Sequence, residues 1–203
     1  MSQSGTMVEY ECDTLSERER ARIVKSAVSP RPIAWISTRS AAGEENLAPY
    51  SSYNYVSSSQ PVVLFNSPNE AHGGLKDTAR NAVETEAFAV NVVTEEFLER
   101  MDHTSASRPP GESEFDLADV ALAECRHIDA PRVAGAAVTM ECTLYDTLEV
   151  RDQLVVFGDV RHFHVDDSVL TDGKIDMRKL PTVGRLGGPF YTVSEPVEFE
   201  RQF

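Results

Sequence analysis

The chain has 203 residues, 41% of them hydrophobic, which is enough for one domain with a sizeable core and argues against wholesale disorder. No apolar run approaches the roughly 18 residues that a membrane helix needs, and the N-terminus lacks the apolar core of a signal peptide, so we expect a cytoplasmic protein. The net charge of −14 also disfavours nucleic acid and anionic membrane as partners.

The N-terminal third predicts one helix followed by short strands. Thr14 and Glu17 match a capping box, so a helix is expected over 14–28, ended by the prolines at 30 and 32. The strands predicted next cover 33–38, 47–57 and 62–66, with a hairpin turn at 41–46. The third is apolar enough to be buried on both faces.

The remainder predicts more strands than helices. Helices are expected over 75–84 and 95–102, strands over 88–93, 137–150, 154–165 and 191–193, and long loops over 104–114 and 166–188. Long loops in compact domains are usually functional or mobile. Many short strands without βαβ alternation predict a single mainly β domain over 1–203, a barrel with α decoration.

The start of the helix at 75–84 carries the clearest functional signal. Lys76, Asp77, Thr78 and Asn81 place a cation, a hydroxyl and an amide where a helix N-terminus exposes unpaired N–H groups that suit a phosphate. Asp77 is expected to cap the helix, because an acid facing a phosphate is unfavourable. Lys76 is one of only four lysines among 19 basic residues, which favours a functional role over a solvated one.

That scarcity of lysine also bears on the environment of the protein. An acid excess with few lysines is typical of a surface suited to high salt, and GC-rich coding would produce the same arginine bias. The three cysteines are scattered without a CxxC pair, which fits a reducing compartment.

A polar strand upstream is unusual for a core element. It contains Pro49, Tyr50, Ser51, Ser52 and Asn54, more hydroxyl and amide groups than a buried strand needs. A solvated edge strand would explain them equally well. Together with the helix start at Lys76, they predict a barrel that holds a phosphorylated aromatic cofactor.

Three segments in order resemble the flavin reductase-like family of FMN-binding split-barrel proteins. They read SPRPIAWIST…NLAPYSSYNYVSS at 29–57, KDTARNAVETEAFAVNV at 76–92 and GRLGGPFYT at 184–192. The resemblance implies a Greek-key split barrel with FMN at a homodimer interface. It implies that the flavin is reduced by NADH or NADPH, or exchanges electrons with a partner such as a monooxygenase.

The resemblance also assigns roles to the residues already singled out. Ser51, Ser52 and Asn54 match the segment that contacts the flavin, and Lys76 to Asn81 match the phosphate and ribityl contacts. Arg185, flanked by glycines, would reach the flavin or the nicotinamide. Tyr191 would either stack near the ring or fill the core. No side chain is assigned a catalytic role, because hydride transfer belongs to the cofactor.

One departure concerns nicotinamide use. Some split-barrel reductases carry Gly-Asp-His before the last long strand, and this motif is associated with NADH; the matching residues here are Arg151, Asp152 and Gln153. The sequence therefore leaves two functions open. One is a flavin reductase that transfers hydride from NAD(P)H to FMN, and the other is an FMN-binding electron carrier or store without its own nicotinamide site.

A histidine pair is the remaining candidate site. His162 and His164 share one face of a strand, because side chains alternate with period 2. An HxH pair can bind metal, but the sequence shows no third ligand, so no metal site is predicted. A histidine facing the flavin or a barrel histidine is the preferred interpretation.

Overall fold

The computed structural model describes residues 6–106 and 113–200 and is mainly β. The helices are α1 (Glu17–Ala27), α2 (Asp77–Glu84), α3 (Leu98–His103) and α4 (Glu114–Leu117). The strands are β1 (Arg31–Pro32), β2 (Ala34–Arg39), β3 (Glu45–Tyr50), β4 (Asn54–Ser57), β5 (Val62–Pro68), β6 (Ala87–Val92), β7 (Leu122–Glu124), β8 (Pro131–Val133), β9 (Val138–Val150), β10 (Gln153–Val165), β11 (Leu170–Thr171), β12 (Lys174–Ile175), β13 (Val183–Arg185) and β14 (Tyr191–Val193). Within these residues, every helix is too short or too polar to cross a bilayer.

Seven strands form one antiparallel sheet in the order β3-β2-β6-β9-β10-β5-β4. The long β9–β10 hairpin is its centre, and β3 and β4, joined by three residues, are its two ends. Side chains from six of the strands meet in one apolar cluster that includes Tyr50, Phe65 and Phe88. The sheet therefore curls around a single interior, and α2 closes it by inserting Ala79 and Ala82.

A second apolar layer covers the outer face of β2 and β3. Trp35 and Leu47 point away from the barrel interior and pack with Phe97, Met101 and the helices α3 and α4. Because β2 is covered on both faces, five of its six residues are buried. A small sheet of order β1-β13-β14 lies beside this layer and carries the segment 184–192 to the end of β3.

The predicted N-terminal helix begins too early. Ser16, not Thr14, is the N-cap, and it forms the capping box with Glu19. The Thr14 hydroxyl instead donates a hydrogen bond to the Glu11 carbonyl oxygen, in a turn of 3-10 helix that precedes α1. Helix α1 therefore covers Glu17–Ala27.

Three other expectations are corrected. The strand over 47–57 breaks at 51–53 into β3 and β4, and β5 alternates between buried and half-buried residues rather than being buried on both faces. The loop at 166–188 contains β11, β12 and β13, whose two or three residues are too short to show periodicity. Of the loop at 104–114, residues 107–112 lie outside the described residues, and α4 begins at 114.

Candidate functional site

The end of β3 separates the predicted contact residues onto two faces. Tyr50 is buried in the barrel interior against Phe65, at a ring-centroid distance of 4.8 Å. Pro49 and Ser51 point the other way and line an outer cavity. This follows from the pleat, since successive side chains of a strand leave on opposite sides. Any contact of Tyr50 with a ligand in this cavity would have to come from its backbone.

The outer cavity has a volume of about 450 Å³ and unites Pro49 and Ser51 with Arg185, three residues predicted from distant segments. Its remaining lining comes from the end of α1, from β1 and the residue after it, from α3 and the turn after it, from the loop after β13 and from β14. Those residues are Lys25, Arg31, Ile33, Met101, Asp102, Ser105, Leu186, Gly188 and Tyr191. Three cations and one carboxylate therefore face this cavity in a chain of net charge −14.

Arg31 and Arg185 are directly opposite each other in the β1–β13 pair. Arg31 donates to the Leu186 carbonyl oxygen at 3.2 Å, and Arg185 donates to the Gly188 carbonyl oxygen at 2.9 Å. Burial, and then the charge of Arg185, lower the pKa of Arg31. In the described ranges, 6–106 and 113–200, neither guanidinium pairs with a carboxylate. Like charges across a strand pair are unfavourable, so the arrangement favours an anionic ligand.

Tyr191 holds the Arg185 side chain from the other side. The Arg185 guanidinium carbon lies 4.3 Å from the centre of the Tyr191 ring, a cation–π contact. The Tyr191 hydroxyl donates to an Asp102 carboxylate oxygen at 2.5 Å, which leaves the acid engaged with the phenol. Tyr191 therefore lies in the cavity wall, beside Arg185.

A basic trough continues from the cavity along α1. It has a volume of about 760 Å³ and runs between Arg18, Arg22 and Lys25 on one side and the loop 186–190 on the other. A Cβ at Gly187 would lie 2.6 Å from the Ser26 hydroxyl oxygen, so glycine allows this loop to approach α1. Cavity and trough share Lys25, Leu186 and Gly188.

The start of α2 offers the second cationic position. Lys76 is the N-cap and forms no side-chain cap, so no side chain from residues 6–106 or 113–200 occupies the N–H groups of the first turn. Asp77 is the first helical residue rather than the predicted cap, and its carboxylate pairs with Arg80 at 2.6 Å. The acid is thus compensated, while the exposed Lys76 ammonium has no partner in the part of the chain that the structure describes.

The other predicted residues are engaged within the chain. The Thr78 hydroxyl accepts from the Asn46 amide at 2.8 Å and Asn81 donates to the Thr38 hydroxyl at 3.1 Å, both buried. The Ser52 hydroxyl bonds the backbone N–H and carbonyl of Asn66. The exposed Asn54 accepts a bond from the next backbone N–H.

The hairpin tip at Arg151 and Asp152 has a histidine beside it. His72 lines the same surface cavity as these two residues, and its Nδ1 donates a hydrogen bond to the Asn69 Oδ1 at 2.7 Å. Asn69 in turn donates to the Arg151 carbonyl oxygen at 2.9 Å. The imidazole of His72, in the turn 69–74, therefore lies near the hairpin tip, although the tip itself contains no histidine.

The chain matches the family described as flavin reductase like domain over residues 26–180. It belongs to this family. A protein of Aquifex aeolicus is 37% identical to this flavin reductase-like chain over 171 residues, which cover 84% of the chain and 87% of the relative. An NADH-dependent FAD reductase of Streptomyces globisporus is 33% identical over 54% of the chain and 57% of its own length.

The structure of nitrilotriacetate monooxygenase component B from Bacillus cereus superposes on the flavin reductase-like chain with a TM-score of 0.90. The two are 29% identical, and the match covers 98% of this chain and 100% of the other. The predicted family and the split-barrel fold are both confirmed.

Sequence reasoning did not single out Arg31, Lys25 and Asp102, which line the candidate cavity. Arg31 lies in the segment 29–57 that carries the family resemblance, so that resemblance could have identified it as a candidate. Lys25 and Asp102 reach the cavity only because α1 and α3 end beside it, and no local pattern marks either.

Proposed function

We propose that this flavin reductase-like protein is an oxidoreductase that binds FMN and accepts hydride from NADH or NADPH. The observation that carries the proposal is the position of its uncompensated cations. Lys76 stands at the start of α2, whose Thr78 hydroxyl bonds Asn46 of β3, and the Arg31–Arg185 pair borders the cavity that Pro49 and Ser51 line, in a strongly acidic chain. Two anionic groups and a planar ring between them would satisfy this arrangement.

FMN fits the residues near α2 and β3. The open N–H groups of the α2 start and the Lys76 ammonium would hold the phosphate, with the Asp77 charge offset by Arg80. Pro49, Ser51 and Ser52 would supply backbone and short polar groups to the ring edge, beside Asn54. Thr78, whose hydroxyl is taken by Asn46, would contribute its backbone N–H, and Asn81 would hold α2 against Thr38 of β2. Bound FMN supplies the hydride-accepting chemistry, so the protein has to position it and exclude water.

The Arg31–Arg185 pair would orient the nicotinamide nucleotide. Its phosphates are anionic, and guanidinium groups bind such oxygens in a planar, bidentate manner. Arg18, Arg22 and Lys25 extend the positive charge along the trough, which would attract the anionic groups of a dinucleotide. Each of these side chains would bind and orient, and none is required to transfer a proton.

A titration of the metal-free, flavin-free protein with FMN tests the flavin site. Lys76→Ala should weaken FMN binding by about 1–3 kcal/mol, the range for a lost charged hydrogen bond. Lys174→Ala is the matched control, because it removes the same charge from an exposed position outside the site. Equal FMN affinity in both variants would exclude Lys76 from the site.

The flavin site would be completed in a homodimer. Tyr55 and Val56 on the edge strand β4 are 68% and 53% exposed, directly after Ser51–Asn54. An exposed apolar edge strand favours association with a second chain. Light scattering coupled to size exclusion should give twice the chain mass, and a monomer with full FMN affinity would contradict the proposal.

An electron carrier or flavin store is the second candidate. Arg151, Asp152 and Gln153 replace the Gly-Asp-His motif associated with NADH use, and this favours a protein without its own nicotinamide site. FMN that binds with Lys76-dependent affinity but is not reduced by NADH or NADPH would favour this function. Reduction by either nucleotide would favour the reductase.

A further inference from the structure

Three of the five histidines of this chain gather around one buried carboxylate, away from the cavity and trough described above. Glu141 on β9 is directly opposite His162 on β10, and His164 lies two residues further on the same face. His127 comes from the loop 125–130 between β7 and β8. Segments far apart in sequence thus bring together one carboxylate and three imidazoles.

Glu141 is held firmly in place. Its side chain is 0% exposed and accepts hydrogen bonds from the backbone N–H groups of Arg126 and His127, each at 2.7 Å. The His164 Nε2 atom lies 2.5 Å from the same oxygen that Arg126 contacts. A carboxylate offers about four lone-pair positions, so three hydrogen bonds leave it with acceptor capacity.

The two strand histidines complete a set of metal-binding atoms. One ligand atom from each of Glu141, His162 and His164 lies within 4.8 Å of the others. Ligands about 2 Å from a tetrahedral ion are separated by roughly 3.3 Å, so each donor would have to move by less than about 1 Å. His164 is 20% exposed and His162 is half-buried, which leaves a path from solvent.

His127 supports this geometry from outside the trio. Its ring centre lies 4.6 Å from that of His162, and the His162 and His164 rings are 4.8 Å apart in an edge-on arrangement. Within the described residues, His162 makes no hydrogen bond. A partly buried imidazole without a polar partner, placed against a carboxylate and two further rings, is arranged to donate a lone pair.

We propose that Glu141, His162 and His164 form a binding site for a divalent transition metal ion of the zinc class. Two imidazole nitrogens and one carboxylate oxygen are a common donor set for zinc and leave at least one coordination position for water. The ion would join the two strands of the β9–β10 hairpin at Glu141, the residue that also anchors the loop 125–130. None of the three residues lines the cavity or the trough described above.

Calorimetric titration of untagged, chelator-treated protein with Zn²⁺ tests the site. The expected result is one ion per chain, with affinity at least tenfold weaker in His162→Ala. His103→Ala is the matched control, because His103 ends α3 and lies outside the cluster. The His162 side chain makes no hydrogen bond to any described residue, so its removal should leave the fold and the circular dichroism spectrum intact.

Two spectroscopic and thermal readouts complete the test. Cobalt(II) should give the intense visible absorption of a four- or five-coordinate site, and this absorption should be lost in His162→Ala and retained in His103→Ala. Zn²⁺ should raise the unfolding temperature of the parent protein but not of His162→Ala. No saturable binding at one ion per chain, or equal Zn²⁺ affinity in the parent and His162→Ala, would overturn the proposal.

Discussion

Replacing Arg185 by glutamine should separate nucleotide binding from stability. In the proposed complex, the variant loses a charge-assisted hydrogen bond to the nicotinamide nucleotide, worth about 1.5–3 kcal/mol, so the KM for NADH or NADPH should rise roughly 10- to 150-fold. The kcat at saturating nucleotide should change much less, because the lost contact holds the substrate before and during hydride transfer alike.

The same change should leave the free protein nearly as stable as before. Arg185 loses its bond to the Gly188 carbonyl oxygen and its position over the Tyr191 ring, about 0.5–1 kcal/mol each. Relief of the cross-strand repulsion with Arg31 returns about 0.2–1 kcal/mol. The net loss in the free energy of unfolding should therefore be about 2 kcal/mol or less.

Steady-state kinetics and urea unfolding of Arg185→Gln measure the two quantities. Lys174→Ala, which removes one positive charge from an exposed site elsewhere, should change neither beyond error. An unchanged KM in Arg185→Gln would refute the role of the arginine pair. A loss of several kcal/mol of stability would instead show that Arg185 is a structural residue.

Further predictions concern packing, thiols and salt. Gly158→Ala should lower the free energy of unfolding by about 1–3 kcal/mol, because its Cβ would lie 2.3 Å from a Phe88 ring carbon. Urea unfolding measures this loss, and a smaller loss in a Phe88→Leu background would show that the clash with Phe88 causes it. Under native conditions at pH 8, a disulfide reagent should titrate one thiol, the exposed Cys12, since burial raises the pKa of Cys125 to about 12 and raises that of Cys142 as well. Rapid reaction of two or three thiols would contradict this. The thermal midpoint should rise when potassium chloride is increased from low to molar concentration, because salt screens the self-repulsion of a chain of net charge −14, and a falling midpoint would contradict it.

The sequence predicted the elements whose pattern is local. The long strands over 137–150 and 154–165 and the short strand at 191–193 match β9, β10 and β14 to within a residue, since alternation and turn residues mark them. The start of α2 was placed within two residues. The predicted capping box is misplaced because Thr14–Glu17 and Ser16–Glu19 have the same spacing, and the Thr14 hydroxyl bonds the Glu11 carbonyl oxygen instead.

What the sequence could not show depends on strand register. The Arg31–Arg185 pair arises from β1 and β13, which are two and three residues long and show no periodicity. Glu141 meets His162 and His164 only through the register of the β9–β10 hairpin, which is shifted by a bulge after Val160. In contrast, the opposite directions of Pro49 and Tyr50 could have been read from strand alternation alone.

Anaerobic reduction of the FMN-loaded protein by NADH and by NADPH, followed by visible absorbance in high-salt buffer, tests the central claim most directly. The account predicts a bound flavin with absorption bands at about 375 and 450 nm, and the band at about 450 nm should bleach when one of the two nucleotides is added. A flavin band that persists under both nucleotides would contradict the reductase. Failure to bind FMN at any salt concentration would contradict the cofactor assignment itself.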